Sequence, residues 1–320
     1  MFTQSGVNFL NTNQTQFLES ERQLMQFQLE LEDRLQRIAE AGDKPALIIC
    51  DRGTMDVRAY LSDEAWNSLL EALGMTVVDL RDARYAAVIH LCTAAKGAES
   101  FYTLGNNAAR SESPEVAREI DDKLMNAWTG HPHLRVVDND CTFDEKITRV
   151  VTEISRVLGV PEPLEIERKY LVDLLEPVPN GNVSEIYQTY LKPVDGQERR
   201  LRMRGEDGHN IYFLTTKIRL AADRNYEHEC RIDENRYYEL LKEANPDKQT
   251  IHKERCCFLW HNQYFELDHF LNPPVDHYLL EIEDAVDAKA VSFPPFLRVI
   301  EDVTGNPDYL NSNIAKLRVK

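Results

Sequence analysis

The sequence predicts two domains of different class. Residues 1–158 read as an α/β domain with a parallel sheet, and residues 162–320 as an α+β domain whose eight antiparallel strands form a barrel or a strongly curved sheet. Three observations carry this. In the first half, apolar strand-like runs alternate with segments of helical periodicity, the pattern of a parallel sheet covered by helices on both faces. "GVPEP" (Gly159–Pro163) then punctuates the chain. Beyond it the rhythm changes to closely spaced strand-like segments, the pattern of consecutive antiparallel pairing. A length of 320 residues also exceeds the usual single-domain range.

In the first half, Thr15–Gly42 carries apolar residues at helical spacing and stops at a glycine. "PALIICD" (Pro45–Asp51) follows as a short buried strand. Leu61–Leu73 is helical, with Ser62 or Asp63 as cap. "YAAVIHLCT" (Tyr85–Thr93) is a second buried strand, Ser113–His131 a helix, "LRVVDN" (Leu134–Asn139) a strand, and Thr142–Gly159 a closing helix. In the second half, strand-like segments lie near 164–172, 185–191, 198–205, 210–218, 226–232, 249–256, 263–270 and 278–284. "ENRYYELLKEAN" (Glu234–Asn245) interrupts them as a helix. Two short helices are expected at the end, around "FLRVIEDVTG" (Phe296–Gly305) and "YLNSNIAKLR" (Tyr309–Arg318).

Bulk properties exclude several function classes. A formal net charge of −17 argues against DNA or RNA as a general partner. The longest apolar runs are far too short to span a bilayer. "MFTQSGVNFLNTNQTQ" shows no basic region followed by an apolar one, so no signal peptide is expected. The six cysteines form no CxxC pair or metal-ligand spacing and read as free thiols of a reducing compartment. The expected location is the cytoplasm, with peripheral attachment at membranes left open. The histidines show no HExxH pattern, His131 and His133 reading as loop residues, and Cys256–Cys257 reads as strand packing.

The second half has a further regularity. Side chains alternate across a strand, so residues two apart share a face. Each strand carries charge on one face: Glu165, Glu167 and Lys169; Arg200, Arg202 and Arg204; Thr215, Lys217 and Arg219; Glu227, Glu229 and Arg231; Lys253 and Arg255; Glu266 and Asp268; Glu281 and Glu283. The opposite faces are apolar, as at Ile166, Phe258, Trp260 and Ile282. One polar-faced strand is an ordinary solvated surface; seven in succession point to charged faces converging inside a curved sheet. Both signs must then be matched, because unpaired buried charge is prohibitively costly. Clustered Lys and Arg suit several phosphates, and clustered carboxylates suit Mg²⁺ or Mn²⁺. The ligand this mixture implies is a linear polyphosphate or a nucleoside or thiamine triphosphate, held with a divalent cation.

The ordered set ExExK, RxR, Lys, ExE, KxR, Asp, ExE resembles the CYTH domain of the triphosphate tunnel metalloenzymes, which include class IV adenylate cyclases, thiamine triphosphatases and inorganic triphosphatases. The resemblance covers about residues 162–320 and implies an eight-stranded antiparallel tunnel barrel. It implies Glu165, Glu167, Glu281 and Glu283 as metal ligands, with Asp268 and Glu229 assisting. Lys169, Arg202, Arg204, Lys217, Lys253 and Arg255 are implied phosphate contacts, with Arg200 as an addition and Lys316 closing the tunnel from the C-terminal helix. Glu165, Glu167, Lys169, Glu281 and Glu283 would form the catalytic set. The expected activity is metal-dependent attack of water on the terminal phosphoryl group. The alternatives are a non-catalytic GTP- and phosphoinositide-binding regulator and a class IV-type cyclase.

In the first half, Asp51–Arg52 at the end of an apolar run resembles the DR motif of P-loop kinases, with Asp56 and Arg58 nearby. "NNAARSESPEVAREID" resembles a lid helix, with Arg110 and Arg118 as phosphate contacts. The pairing of this half with the second is similar to an AAA-like P-loop domain of the NadR/TRPL-translocation-defect type fused to CYTH. It departs from that pattern in lacking GxxxxGK[ST] and the strand before it, hence the backbone cradle and lysine for the β- and γ-phosphates. Impaired nucleotide binding in this half is therefore expected, with a truncated gene model or shorter isoform as its expected cause.

Overall fold

The computed structural model describes residues 13–102, 113–160, 167–219, 225–283 and 291–317. In the first unit, α1 (Gln14–Glu40) begins at Asn13, whose side chain accepts from the Gln16 amide while the Gln16 side chain reaches back to the Asn13 amide. α2 (Asp63–Leu73) is capped by Ser62 and stops at Gly74, whose φ of 62° is left-handed. α3 (Val77–Leu80), β1 (Val88–Leu91), α4 (Pro114–Trp128), β2 (Leu134–Val137) and α5 (Phe143–Val157) follow. Thr142 and Glu145 form a second reciprocal cap at the start of α5. Met25, Met55, Trp66, Leu69, Leu80, Trp128 and Leu134 make the core.

β1 and β2 pair in parallel, Val88 opposite Leu134 through Leu91 opposite Val137. The sheet of this unit is limited to these two strands among the described residues. The strand expected at Pro45–Asp51 does not form; the segment is irregular, with Leu47 52% and Ile49 71% exposed. A strand exists only where a neighbour satisfies its amides and carbonyls, and no described strand pairs with this run. The apolar residues alone could not supply that neighbour.

The second unit is one antiparallel sheet. Its strands are β3 (Glu167–Leu174), β4 (Asn182–Tyr190), β5 (Glu198–Glu206), β6 (His209–Arg219), β7 (Asn225–Ile232), β8 (Ile251–Trp260), β9 (Gln263–Asn272), β10 (Tyr278–Glu283) and β11 (Leu297–Asp302), in the order β11-β3-β10-β9-β8-β4-β5-β6-β7. Two tight hairpins shape it. Asp207–Gly208 joins β5 to β6, and His261–Asn262 joins β8 to β9, all four residues with positive φ, as two-residue turns that match strand twist require.

Among the described residues the sheet has nine strands rather than the expected eight, and their hydrogen-bonded order runs from β11 to β7 without a described pairing that closes it into a barrel. The ninth strand comes from "FLRVIEDVTG", expected as a helix. It pairs with β3 through a bulge between Val299 and Glu301; the free edge of β3 offers a ladder to the β-branched Val299 and Ile300, and that tertiary opportunity overrides local helical periodicity. α6 (Glu234–Leu240) forms as expected and packs Tyr237 and Leu240 against Leu201 and Tyr212. α7 is only Asn311–Ile314, shorter than expected.

The sheet's two faces differ. Tyr170, Val172, Phe258, Phe265, Leu267, Leu280 and Ile282 form an apolar face covered by Phe296 and Leu297. The other face carries the charges. No helix among the described residues is long and apolar enough to cross a membrane.

Candidate functional site

Strand register assembles the site. Residues directly opposite one another in an antiparallel pair point to the same side. Glu167 lies opposite Glu283, and Lys169 opposite Glu281, which is opposite Glu266. Asp268 lies opposite Arg255. Lys253 is opposite Ile186, which is opposite Arg204, while Arg202 faces Gln188 and Arg200 faces both Tyr190 and Thr215. Thr215 faces Glu229, and Lys217 faces Glu198 and Glu227. The alternating charges thus share one face from β3 round to β7, and the hydrogen-bonded sequence of strands places β10, β9 and β8 at its centre.

That centre is buried and self-neutralising. Asp268 is fully buried. Its Oδ1 accepts from Arg255 Nε at 2.7 Å and its Oδ2 from Arg255 Nη2 at 2.6 Å, while Lys253 also donates to Oδ2. Arg255 reaches Glu281 at 2.6 Å and pairs with Glu266 as well. Lys169 Nζ lies 2.8 Å from Glu281 Oε1 and 3.3 Å from Glu167. Glu281 Oε1 is buried and at ion-pair distance, yet it lacks an aligned hydrogen bond. At the flank, Arg202 sits 3.3 Å from Glu229, which accepts a 2.7 Å hydrogen bond from Thr215 Oγ1.

The electrostatics follow from this packing. Burial would raise the Glu281 carboxyl, but Lys169, Lys253 and Arg255 outweigh it and hold the group well below the usual carboxylate range. Burial would likewise raise Glu229, which Arg202 and Arg200 hold down. Lys253 is pushed below the ordinary lysine value by burial, with Arg255 adding to the effect. Lys169 is pushed above it: burial is overcome by Glu281 and Glu167. The donor atoms offered to a cation are carboxylate oxygens, with no thiolate or imidazole among the residues paired here, which fits a hard divalent ion such as Mg²⁺ or Mn²⁺. Glu167 and Glu283, about one-third exposed, are the accessible members; Asp268, with both oxygens serving Lys253 and Arg255, is the least available.

Other expected residues fall elsewhere. Glu165 and Arg110 lie outside the described residues. Lys316 is exposed, its backbone bridging Lys248, and it does not join the charged cluster. Asp51 is exposed in a bend, and Arg52, with φ of 85°, lies 3.6 Å from Asp56. Asp56 is itself an acceptor for Trp128 Nε1 at 2.7 Å, and Arg58 pairs with Asp63. Arg118 donates to the Ala95 carbonyl at 2.6 Å. No contact among the described residues joins Asp51 or Arg52 to Arg118, so the structure does not gather the nucleotide site expected in the first unit.

Three contributors escape sequence reasoning: Arg135, which lies 2.5 Å from Glu283; Gly130, whose carbonyl accepts from Arg204; and Tyr264, which bonds the same turn. Arg135 and Gly130 come from the other half of the chain, and no local pattern could pair them with Glu283 and Arg204.

Residues 6–146 match the family model of an AAA domain, and residues 163–290 match that of a CYTH domain. The chain joins an AAA domain to a CYTH domain. The CYTH match spans β3 to β10 and with them every charged strand; β11 lies beyond it. No curated protein matches the chain. Among solved structures it is similar to an inorganic triphosphatase, at 30% identity and a TM-score of 0.35, covering 47% of this chain and 93% of that one. It is also similar to a protein from Pyrococcus horikoshii, at 23% identity and a TM-score of 0.29, covering 39% and 80%. A Hippeastrum protein described as an adenylyl cyclase with a dominant triphosphatase activity aligns at 16% identity and a TM-score of 0.28, over 37% and 80%.

Proposed function

We propose that the charged face of the CYTH domain binds a triphosphate-containing small molecule with a divalent cation and hydrolyses its terminal phosphate. The observation that carries this reading is the convergence of Lys169, Arg202, Lys253 and Arg255 with Glu167, Glu229, Glu281 and Glu283 on one face of a single sheet. Glu167, Glu281 and Glu283, with Glu229 at the flank and Asp268 behind them, would hold Mg²⁺ or Mn²⁺. When bound there, the cation would neutralise phosphate charge that develops during the reaction.

The protein's own groups do the rest. Arg202 and Arg255 present forked donors to phosphate oxygens, and Lys169 and Lys253 supply compact charge. Asp268 holds Arg255 and Lys253 in place, so their positions are set before a ligand arrives. Phosphoryl transfer demands mostly positioning and charge stabilisation, which suits a preorganised set of this kind. A carboxylate not engaged by the cation would orient the attacking water. Tripolyphosphate, a nucleoside triphosphate and thiamine triphosphate share the recognised group.

The test is a metal and substrate panel on the full chain. Phosphate release from tripolyphosphate, ATP, GTP or thiamine triphosphate with Mg²⁺ or Mn²⁺, lost in Glu167→Ala, is the expected result. Cyclic nucleotide with pyrophosphate as the product of ATP would replace hydrolysis by cyclisation. Metal-dependent binding without any product would reduce the reading to a sensor.

A further inference from the structure

One segment of the AAA domain enters the charged face: Thr129–Arg135, the turn between α4 and β2 together with the first two residues of β2. It is held from several sides. Tyr264, on β9, receives a hydrogen bond from the Gly130 amide at 3.2 Å and donates to the His131 carbonyl at 3.1 Å. Arg81 donates to the Thr129 carbonyl at 3.1 Å and also pairs with Glu206 on β5. Arg204 donates to the Gly130 carbonyl. Arg135 closes the set on Glu283 at 2.5 Å. Gly130 has φ of 106°, and a Cβ there would collide with Asn182 Oδ1 and Arg81 Nη1, so only glycine fits the docked turn.

The docked turn engages Arg204, an expected phosphate contact on the same face, and Glu283, which the proposed function gives to the cation. Arg204 is 3% exposed. Its acceptors are a neutral carbonyl and, at 3.9 Å, Cys257 Sγ; its Nε has none. The contrast with Arg255, which pairs with Asp268, Glu266 and Glu281, is direct. A buried guanidinium without a carboxylate in ion-pair range is poorly compensated. A phosphate oxygen would supply the missing anion, but the Gly130 carbonyl stands in its place. At the other end, Arg135 holds a carboxylate proposed for the cation.

We propose that Thr129–Arg135 is an autoinhibitory clamp, by which the AAA domain holds Arg204 and Glu283 away from a metal–triphosphate ligand. This rests on the proposed function of the charged face and adds its regulation. The clamp and the ligand compete for the same two groups, so binding of one loosens the other, by the same factor in both directions.

The test uses the full chain, tripolyphosphate with Mg²⁺ as probe, and two substitutions that strike opposite ends of the turn. Gly130→Ala cannot dock, and Arg135→Ala frees Glu283. Each is expected to bind tripolyphosphate on the order of 10-fold more tightly than the wild type by calorimetry. Amide exchange across 129–135 provides a second reading that needs no substitution: it is expected to speed up in the wild type when tripolyphosphate and Mg²⁺ are added. Equal or weaker affinity in both variants overturns the clamp, and so does exchange across 129–135 that the ligand leaves unchanged. If neither the wild type nor the variants bind tripolyphosphate with Mg²⁺, the proposed function of the face falls, and the clamp on its ligand with it.

Discussion

The two units of this chain put opposite kinds of residue where they are least expected. The AAA domain leaves apolar side chains outside: Phe27 and Ile38 on α1, Leu47 and Ile49 in the irregular run, Phe143 and Val151 on α5 are all exposed. The CYTH domain puts charges inside: Lys253, Arg255, Asp268 and Glu281 are buried. The difference teaches what each kind of residue requires. An apolar run becomes a buried strand only if a neighbouring strand receives its backbone, and Pro45–Asp51 has none among the described residues. A charge can be buried if a partner of opposite sign meets it: antiparallel register sets Lys169 opposite Glu281 and Arg255 opposite Asp268, and Lys253 reaches Asp268 diagonally.

Four experiments would break or sharpen this comparison. The largest effect is expected from Asp268→Ala, which leaves Lys253 and Arg255 sharing a buried site without their central carboxylate. A loss on the order of 3–5 kcal/mol is expected in chemical denaturation; a loss below about 1 kcal/mol would mean that the central charges are not mutually dependent. Next is Glu281→Gln, which keeps the shape and removes the charge. It should lower metal-dependent phosphate release by roughly 10²–10³-fold with circular dichroism unchanged. Activity equal to wild type would remove Glu281 from the site.

The third is a pH effect at the junction. Burial pushes the His131 imidazole down from 6.5 to about 3. Its Nδ1 accepts from the His133 amide, and its Nε2 lies 3.0 Å from the Tyr85 carbonyl. The neutral ring is therefore the one that fits, and the unfolded chain takes up the proton first. The contribution is complete above about pH 6.5 and falls as pH drops towards 3, by about 2 kcal/mol at pH 5. Thermal denaturation from pH 7.5 to 5 should show this slope, and His131→Gln should flatten it. The smallest effect is expected from Ile49→Ser, within about 0.5 kcal/mol of wild type, because this side chain is already in water. A loss above 2 kcal/mol would show that the run is packed.

Much of the charged face was legible. ExK, RxR, KxR and ExE spacings determine that Glu167 accompanies Lys169, and Arg202 accompanies Arg204, whatever the strands do next, since a strand has a period of two. The pairing of Lys169 with Glu281, or of Arg255 with Asp268, was not legible, because it depends on register between strands far apart in the chain. β11 was missed for the same reason: Leu297–Asp302 has helical spacing of its apolar residues, and the edge of β3 decided otherwise. A helix end was readable where the cap is local, as at Ser62.

By itself, then, the sequence determined composition by face: which residues travel together on a strand, where helices begin, and that acids and bases must meet somewhere in the second half. Only the tertiary structure decided which acid meets which base, that β11 joins the sheet beside β3, and that Gly130 and Arg135 of the AAA domain reach Arg204 and Glu283. The physical reason is one of range. Alternation and capping act over two to four residues, whereas ion pairs and strand edges are indifferent to separation along the chain and exist only once the backbone has brought them together.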